Sequence, residues 1–153
     1  RALGSLYEKL SQAAAQKKTG QHQLNAIGYA FYDYAKAFPN HFGFNQIFDL
    51  KNYVKGKYED LDEQREFTRA CHQKNDQITD LVREAIVLGQ EDGSIQSQTS
   101  PDSLLLFMFG ATFGILHILR RQTKYLGAGK EAQNDQYFSD AIQLMTQSIR
   151  KPS

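Results

Sequence analysis

The sequence predicts an all-α protein, folded as a single six-helix bundle. Three observations lead there. Apolar residues recur at spacings of three and four along most of the chain. Proline and glycine interrupt those stretches at lengths that suit helices. No convincing run alternates apolar and polar residues with the period of two that a half-buried strand requires.

The first helix is expected from about Ala2 to Gln16, where Leu3, Leu6, Tyr7 and Leu10 share a face. It is expected to stop near Gly20, after Lys17 and Lys18, cations that suit the negative end of a helix dipole. The second spans about Leu24 to Phe38. Its inward face is Leu24, Ile27, Gly28, Phe31, Tyr32, Ala35 and Phe38, with Asp33 and Lys36 turned away. Pro39 ends it, because the residue before a proline is pushed out of the helical region. Asn40 can cap a short third helix from His41 to about Tyr53, carrying Phe44, Ile47 and Phe48.

Asp60 followed by Glu63 resembles a capping box and opens a long fourth helix reaching about Glu91. Its apolar stripe is Phe67, Cys71, Ile78, Leu81, Val82, Ala85 and Leu88, interrupted by Lys74, and Gly93 supplies the stop. Ser100-Pro101-Asp102 combines a capping hydroxyl, a proline at the first helical position and an acid in the first turn. The fifth helix starts there and runs to about Tyr125. Asn134 is a candidate cap for the sixth, with Phe138, Ile142, Met145 and Ile149 as its stripe.

Composition narrows the function classes. The 153 residues suit one domain over residues 1–153, with 41% hydrophobic and 23% charged side chains. One cysteine, Cys71, cannot build an internal disulfide and fits a reducing, cytoplasmic setting. A net charge of +1 and a pI near 8.0 argue against a self-sufficient nucleic-acid binder. The uncharged run Ser103 to Leu119 falls at the lower edge of a membrane span. It contains Gly110, Thr112, Gly114 and His117, and burial in a protein core is the preferred reading, with no membrane partner.

No enzyme signature is present: no phosphate-cradling glycine loop, no nucleophile elbow and no dinucleotide fingerprint. No cofactor is therefore expected. Cys71 and His72 are adjacent and diverge by about 100° on a helix, and no histidine pair sits at chelating spacing, so no metal is expected either.

The segment from Leu81 to Leu119 has a long helix closing on G-x-x-x-G-x-I at Gly89, Gly93 and Ile95. A polar loop, Pro101 and an apolar helix with Gly110 and Gly114 follow. Tyr29 to Phe48 forms an aromatic-rich helix that ends at a proline and leads into a short one. These features resemble the C-terminal, ligand-binding and dimerisation domain of TetR/AcrR-type transcriptional regulators, and the helix order matches over nearly the whole chain. The resemblance implies a homodimer through the last two helices, a small and largely apolar effector, and repressor function in the cytoplasm. It also implies operator DNA as a partner only through an N-terminal helix-turn-helix domain, expected upstream and not present in this chain.

Face geometry then nominates site residues. The pocket candidates are Phe31, Tyr32, Phe48, Lys74, Ile78, Phe107 and Phe113, set against the plainer reading that aromatic stripes are core. Tyr32 stands out because a buried hydroxyl needs a partner. Lys74 must snorkel outward, pair, or meet a ligand, and the last option would favour an acidic or phenolic effector. The dimer candidates are Gly110, Gly114, His117 and Arg121 on the fifth helix, with Phe138, Ile142, Met145 and Ile149 on the sixth. A glycine inside a helix costs about 1 kcal/mol relative to alanine, which close approach of another backbone would justify, within the subunit or across a dimer. His117 is open to three readings: dimer bridge, ligand contact, or hydrogen-bonded core histidine. The alternative to the regulator is a helical homodimerisation module without an effector.

Overall fold

The computed structural model describes residues 2–38, 61–121 and 131–152. Within them the chain is all-α, with helices α1 (Ala2–Ala15), α2 (Gly20–Ala37), α3 (Leu61–Asp92), α4 (Pro101–Arg121) and α5 (Glu131–Ile149). Among the described residues there is no strand, only an isolated antiparallel bridge between Ile95 and Arg150. The expected short helix from His41 to Tyr53 lies outside the described residues, as do Phe48 and the Asp60 cap.

Helix α2 is central. It packs on α1, α3 and α5, while α4 lies against α3 and α5. The core draws on every helix: Leu6 and Leu10 from α1, Leu24, Ile27 and Phe31 from α2, and Ile78, Val82 and Ile86 from α3. Leu105, Met108, Phe113 and Leu116 come from α4, and Phe138, Ile142, Met145 and Ile149 from α5. Most of the described positions of the expected α2 and α5 stripes, with Ile78, Val82 and Ala85 of the α3 stripe, face inward as amphipathicity requires, while Phe38 is 45% exposed and Ile86, outside the expected stripe, is fully buried.

Two helix starts differ from expectation, each for a physical reason. Helix α2 begins at Gly20, four residues before Leu24. Thr19 is its cap, with its hydroxyl accepting from the His22 N–H at 3.2 Å. Gly20 is thus the first residue of α2 and no part of the stop to α1. Helix α5 begins at Glu131, so Asn134 is inside the helix and caps nothing. Its side-chain carbonyl oxygen is buried without a hydrogen-bond partner.

The corner between α3 and α4 follows the sequence closely. Gly93 has φ of +82°, a left-handed conformation that favours glycine at a helix end. The Ile95 N–H then donates back to the Gly89 carbonyl at 2.9 Å, and Ile95 drops into the core. A side chain on Gly89 would overlap Ile95, so the glycine is required by packing. Ser100 caps α4, its hydroxyl accepting from the Ser103 N–H at 3.2 Å.

The first turn of α2 rests on this corner. A Cβ on Gly20 would overlap backbone atoms of Gly89 and Ala85, so α2 and α3 meet backbone to backbone there. Backbone cannot rotate away as a side chain can. Gly20→Ala is expected to lower the unfolding free energy by about 3 kcal/mol. Gly93→Ala, strained only by its φ, is expected to cost about 1–2 kcal/mol. Urea denaturation of both variants checks this, and equal effects would remove the close approach from the account.

Candidate ligand cavity and free helix face

At the centre of the bundle, one cavity is walled by all five helices. Its lining includes Leu10, Ile27, Phe31, Ile78, Val82, Met108, Phe109 and Ile142, with Asn25 and Thr112 as the polar members. The space open to the centre of a water molecule is about 40 Å³. That is more room than a single water molecule needs, so the cavity is larger than a packing defect.

The nominated pocket residues divide. Phe31 and Ile78 line the cavity. Phe113 is buried behind Phe31, edge-on with ring centroids 5.2 Å apart. Tyr32 faces α5 instead. Its ring stacks on Phe138 at 4.2 Å, and its hydroxyl donates to Asp135 at 2.8 Å. The buried tyrosine therefore has its partner, but the partner is protein. Lys74 is half-buried on the α1 side, with its ammonium 5.7 Å from the Tyr7 ring centroid, and it is not part of the cavity wall. The snorkelling option describes it best. Phe107 is 44% exposed and turned outward.

The cavity residues that sequence reasoning missed are Asn25 and Thr112. A signal for Asn25 existed: it precedes Gly28 by three and Tyr32 by seven, so it lies along the inward face. Thr112 carries no such mark, because an uncharged run in α4 hides which side is inside.

The nominated dimer residues also divide. Gly110 is exposed, Gly114 is half-buried, and a Cβ on either would meet nothing within 4 Å. Among the described residues, nothing packs tightly enough against these glycines to require them. His117 is exposed on the same side, and the Arg121 side chain lies outside the described residues. On α5 the expectation needs correcting. Phe138, Ile142, Met145 and Ile149 are at most 4% exposed in the chain itself, so they are committed to its own core. A partner on α5 would meet the opposite face, where Leu144 is 67% exposed.

The outward face of α4 is apolar around the glycine pair. Leu106 is 75% exposed and Ile118 46%, and with Phe107 and the two glycines they repeat at spacings of three and four. By length and composition, Pro101–Leu119 would also cross a membrane, and 33% of that window is buried. Its neighbour α5 nevertheless exposes Gln136, Asp140, Gln143 and Gln147, groups unsuited to hydrocarbon. Among the described residues, no group of three His, Cys, Asp or Glu side chains could hold a metal.

The chain matches no family model, no curated protein and no solved structure.

Two carboxylates fix the ends of α2 beside the cavity. Asp92 accepts from the Gly20 N–H and the Ser94 N–H, each at 2.8 Å. Partial desolvation pushes its carboxyl up, but hydrogen bonds from the Ser94 side chain and from these two N–H groups, with His22 nearby, outweigh it and hold the group below its ordinary value. At the other end, the Tyr32 hydroxyl holds the Asp135 carboxyl low. Desolvation works against this, and Lys36, 3.0 Å away, adds to the lowering.

A carboxyl with a depressed folded-state value stabilises the fold above its unfolded value, and that contribution is lost as pH falls through the folded value. For both groups the unfolded reference is 3.8, so the loss falls below about pH 4. Unfolding free energy is expected to drop on acidification through that range. Replacing both residues in Asp92→Asn with Asp135→Asn is expected to flatten the drop. Denaturation at a series of pH values checks this, and an unchanged slope in the double variant would refute it.

Proposed function

We propose that the chain is the effector-sensing and dimerising domain of a ligand-responsive transcriptional regulator of the TetR/AcrR type, acting as a repressor. One observation carries the reading: the cavity and the uncovered glycine face lie on opposite sides of the same helix, α4. Thr112 lines the cavity, while Gly110 and Gly114 lie two residues either side of it, about 200° away around the helix. A ligand-binding wall and a partner-binding surface are thus one rigid element.

The partner is a second copy of the chain. Two α4 helices related by a two-fold axis can bring their glycines together, which justifies leaving side chains off a solvent-facing helix. Leu106, Phe107 and Ile118 surround that contact with apolar surface, and Leu144 extends it onto α5. In the full-length parent, an effector favouring one arrangement of α4 would change the spacing of the helix-turn-helix heads. They would then no longer match two operator half-sites, and repression would be relieved.

The modest size of the cavity supports a second reading, a homodimerisation module without an effector. The two readings share the dimer and differ in whether a small molecule alters DNA affinity of the full-length protein.

Gly110→Ala with Gly114→Ala is expected to stabilise the monomer fold, by about 1 kcal/mol per site, because no described residue opposes the added methyl groups. The same variant is expected to weaken the dimer at least tenfold by holding the helices apart. Sedimentation equilibrium and urea denaturation together check both signs. A wild-type chain that stays monomeric at all concentrations, or partitions onto lipid vesicles instead, would defeat the dimer reading.

A further inference from the structure

We infer that two copies of the chain pair antiparallel along α4, with the two-fold axis at the level of Thr112. Phe107 of each copy then packs beside His117 of the other, and the glycines meet between them. The inference rests on reading the outward face of α4 as a homodimer surface, and it adds the direction and register of the contact.

The pattern of the face is the first argument. A two-fold contact is self-complementary: if residue i meets residue j, then j meets i. In an antiparallel pair, i and j lie equally far on either side of the residue at the axis. The outward face of α4 has this form about Thr112. Gly110 and Gly114 are two residues away, Phe107 and His117 five, and Ser103 and Arg121 nine. At about 100° per residue, all six positions fall within about 40° of the direction opposite Thr112, which itself lines the cavity. They recur in alternating steps of four and three, the spacing of a seam between two helices inclined at about 20°. Small residue meets small residue at the axis, and ring meets ring on each side of it. Ser103, Phe107, Gly110 and His117 are exposed, so this seam runs along the surface of the chain.

Charge decides the direction. A parallel pair has the same spacing, with every residue opposite its own copy. Between Asp102 and Arg120 the sequence holds no Asp, Glu, Lys or Arg, which suits the centre of an interface in either direction. The ends differ. At the start of α4, Arg83 bonds both Asp80 and Asp102, so two carboxylates share one guanidinium and leave net negative charge. At the other end α4 finishes with Arg120 and Arg121. A parallel pair would set acid beside acid, base beside base, and align the two helix dipoles. An antiparallel pair sets each acidic end beside a basic one and opposes the dipoles.

Helix α5 belongs at the rim of this contact. Its apolar stripe is committed to the core of its own chain, and its outward face offers Leu144 among Gln136, Asp140, Gln143 and Gln147. Polar residues of that kind surround an interface centre and do not form it.

The test is disulfide trapping in the 153-residue chain, with Phe107→Cys, His117→Cys and Ser103→Cys prepared separately. The natural chain, which contains Cys71, gives the baseline, and sedimentation equilibrium reports whether each preparation is dimeric. In the antiparallel pair, residue 107 is about 15 Å along the seam from its own copy and residue 103 about 27 Å. Cysteines whose Cα atoms are more than about 7 Å apart do not bridge. Mixed Phe107→Cys and His117→Cys chains are therefore expected to form a covalent dimer at least about tenfold faster than either alone. Ser103→Cys, at an exposed site, is expected to stay at baseline and guards against a fold defect in the other two.

Faster linking of Phe107→Cys or Ser103→Cys to itself than of the mixture would overturn the inference in favour of a parallel pair. A dimeric chain in which no preparation links above baseline would overturn it in favour of another face. Both results leave a homodimer standing. A chain that stays monomeric would instead remove the homodimer reading, and the inference with it.

Discussion

Gly20 lies so close to the last turns of α3 that no side chain fits between the two backbones, and the placement of α2 follows from that approach. The contact brings the unpaired N–H groups of the α2 N-terminus to the residues that end α3. Asp92 takes the Gly20 N–H, and the Ser94 hydroxyl takes that of Gln21 at 3.1 Å. One turn of backbone thereby satisfies the start of α2, the end of α3 and the loop into α4. Gly89, on the other side of the same turn, is kept bare by Ile95, which carries the chain on toward α4. The Gln96 N–H then reaches the Ile149 carbonyl at 2.8 Å, which ties the end of α5 to the same corner.

The far end of α2 is held by a different set of groups. Tyr32 stacks on Phe138 and donates to Asp135, Lys36 pairs with the same carboxylate, and the Tyr29 and Ser139 hydroxyls lie 2.9 Å apart. Together these fix α2 to α5 with directional contacts. A cavity in an apolar core is usually closed by relaxation of its walls, and it persists where the walls cannot move. Helix α2 supplies more of the cavity wall than any other helix and is pinned at both ends, at Gly20 by backbone contact and at Tyr32 by hydrogen bonding. The polar clamps therefore explain why the space between them stays open, which apolar packing alone would not.

Sequence periodicity made the all-α class and most of the inward stripes of α2 and α5 legible, because amphipathic burial is a local rule; at the end of α2 it placed Phe38 inside although it is 45% exposed, and in α3 it passed over the buried Ile86. The Gly89, Gly93 and Ile95 pattern was equally legible, since each glycine there answers a requirement of the chain nearby. Gly20 was misread as a stop to α1 because its requirement comes from α3, far along the sequence. The α5 stripe was assigned to a partner although it fills the subunit's own core, an ambiguity that periodicity cannot resolve: it identifies an apolar face but not what covers it. In α4, where nearly every residue is apolar or small, periodicity had no contrast to work with. The outward side became apparent only through the exposure of Leu106 and Ile118 and the empty space over Gly110 and Gly114.

The glycines of α3 and α4, with Gly93 just after α3, help to decide what α4 can transmit. Gly89 and Gly93 have intramolecular reasons, one steric and one conformational, whereas Gly110 and Gly114 have none among the described residues. If two α4 helices meet at that pair, their backbones approach without long side chains between them to absorb displacement. Interfaces of that kind respond to helix shifts of about 1–2 Å by repacking from one arrangement to another. An occupant pressing on Met108, Phe109 or Thr112 would act on the inner side of the helix whose outer side makes this contact. The corner at Gly20 and Gly89 would hold the start of α2 and the end of α3 fixed meanwhile. Displacement would then be directed outward into α4 and not dispersed through the bundle. A binding energy difference of only 1–3 kcal/mol between two arrangements of α4 would suffice to couple the cavity to the dimer.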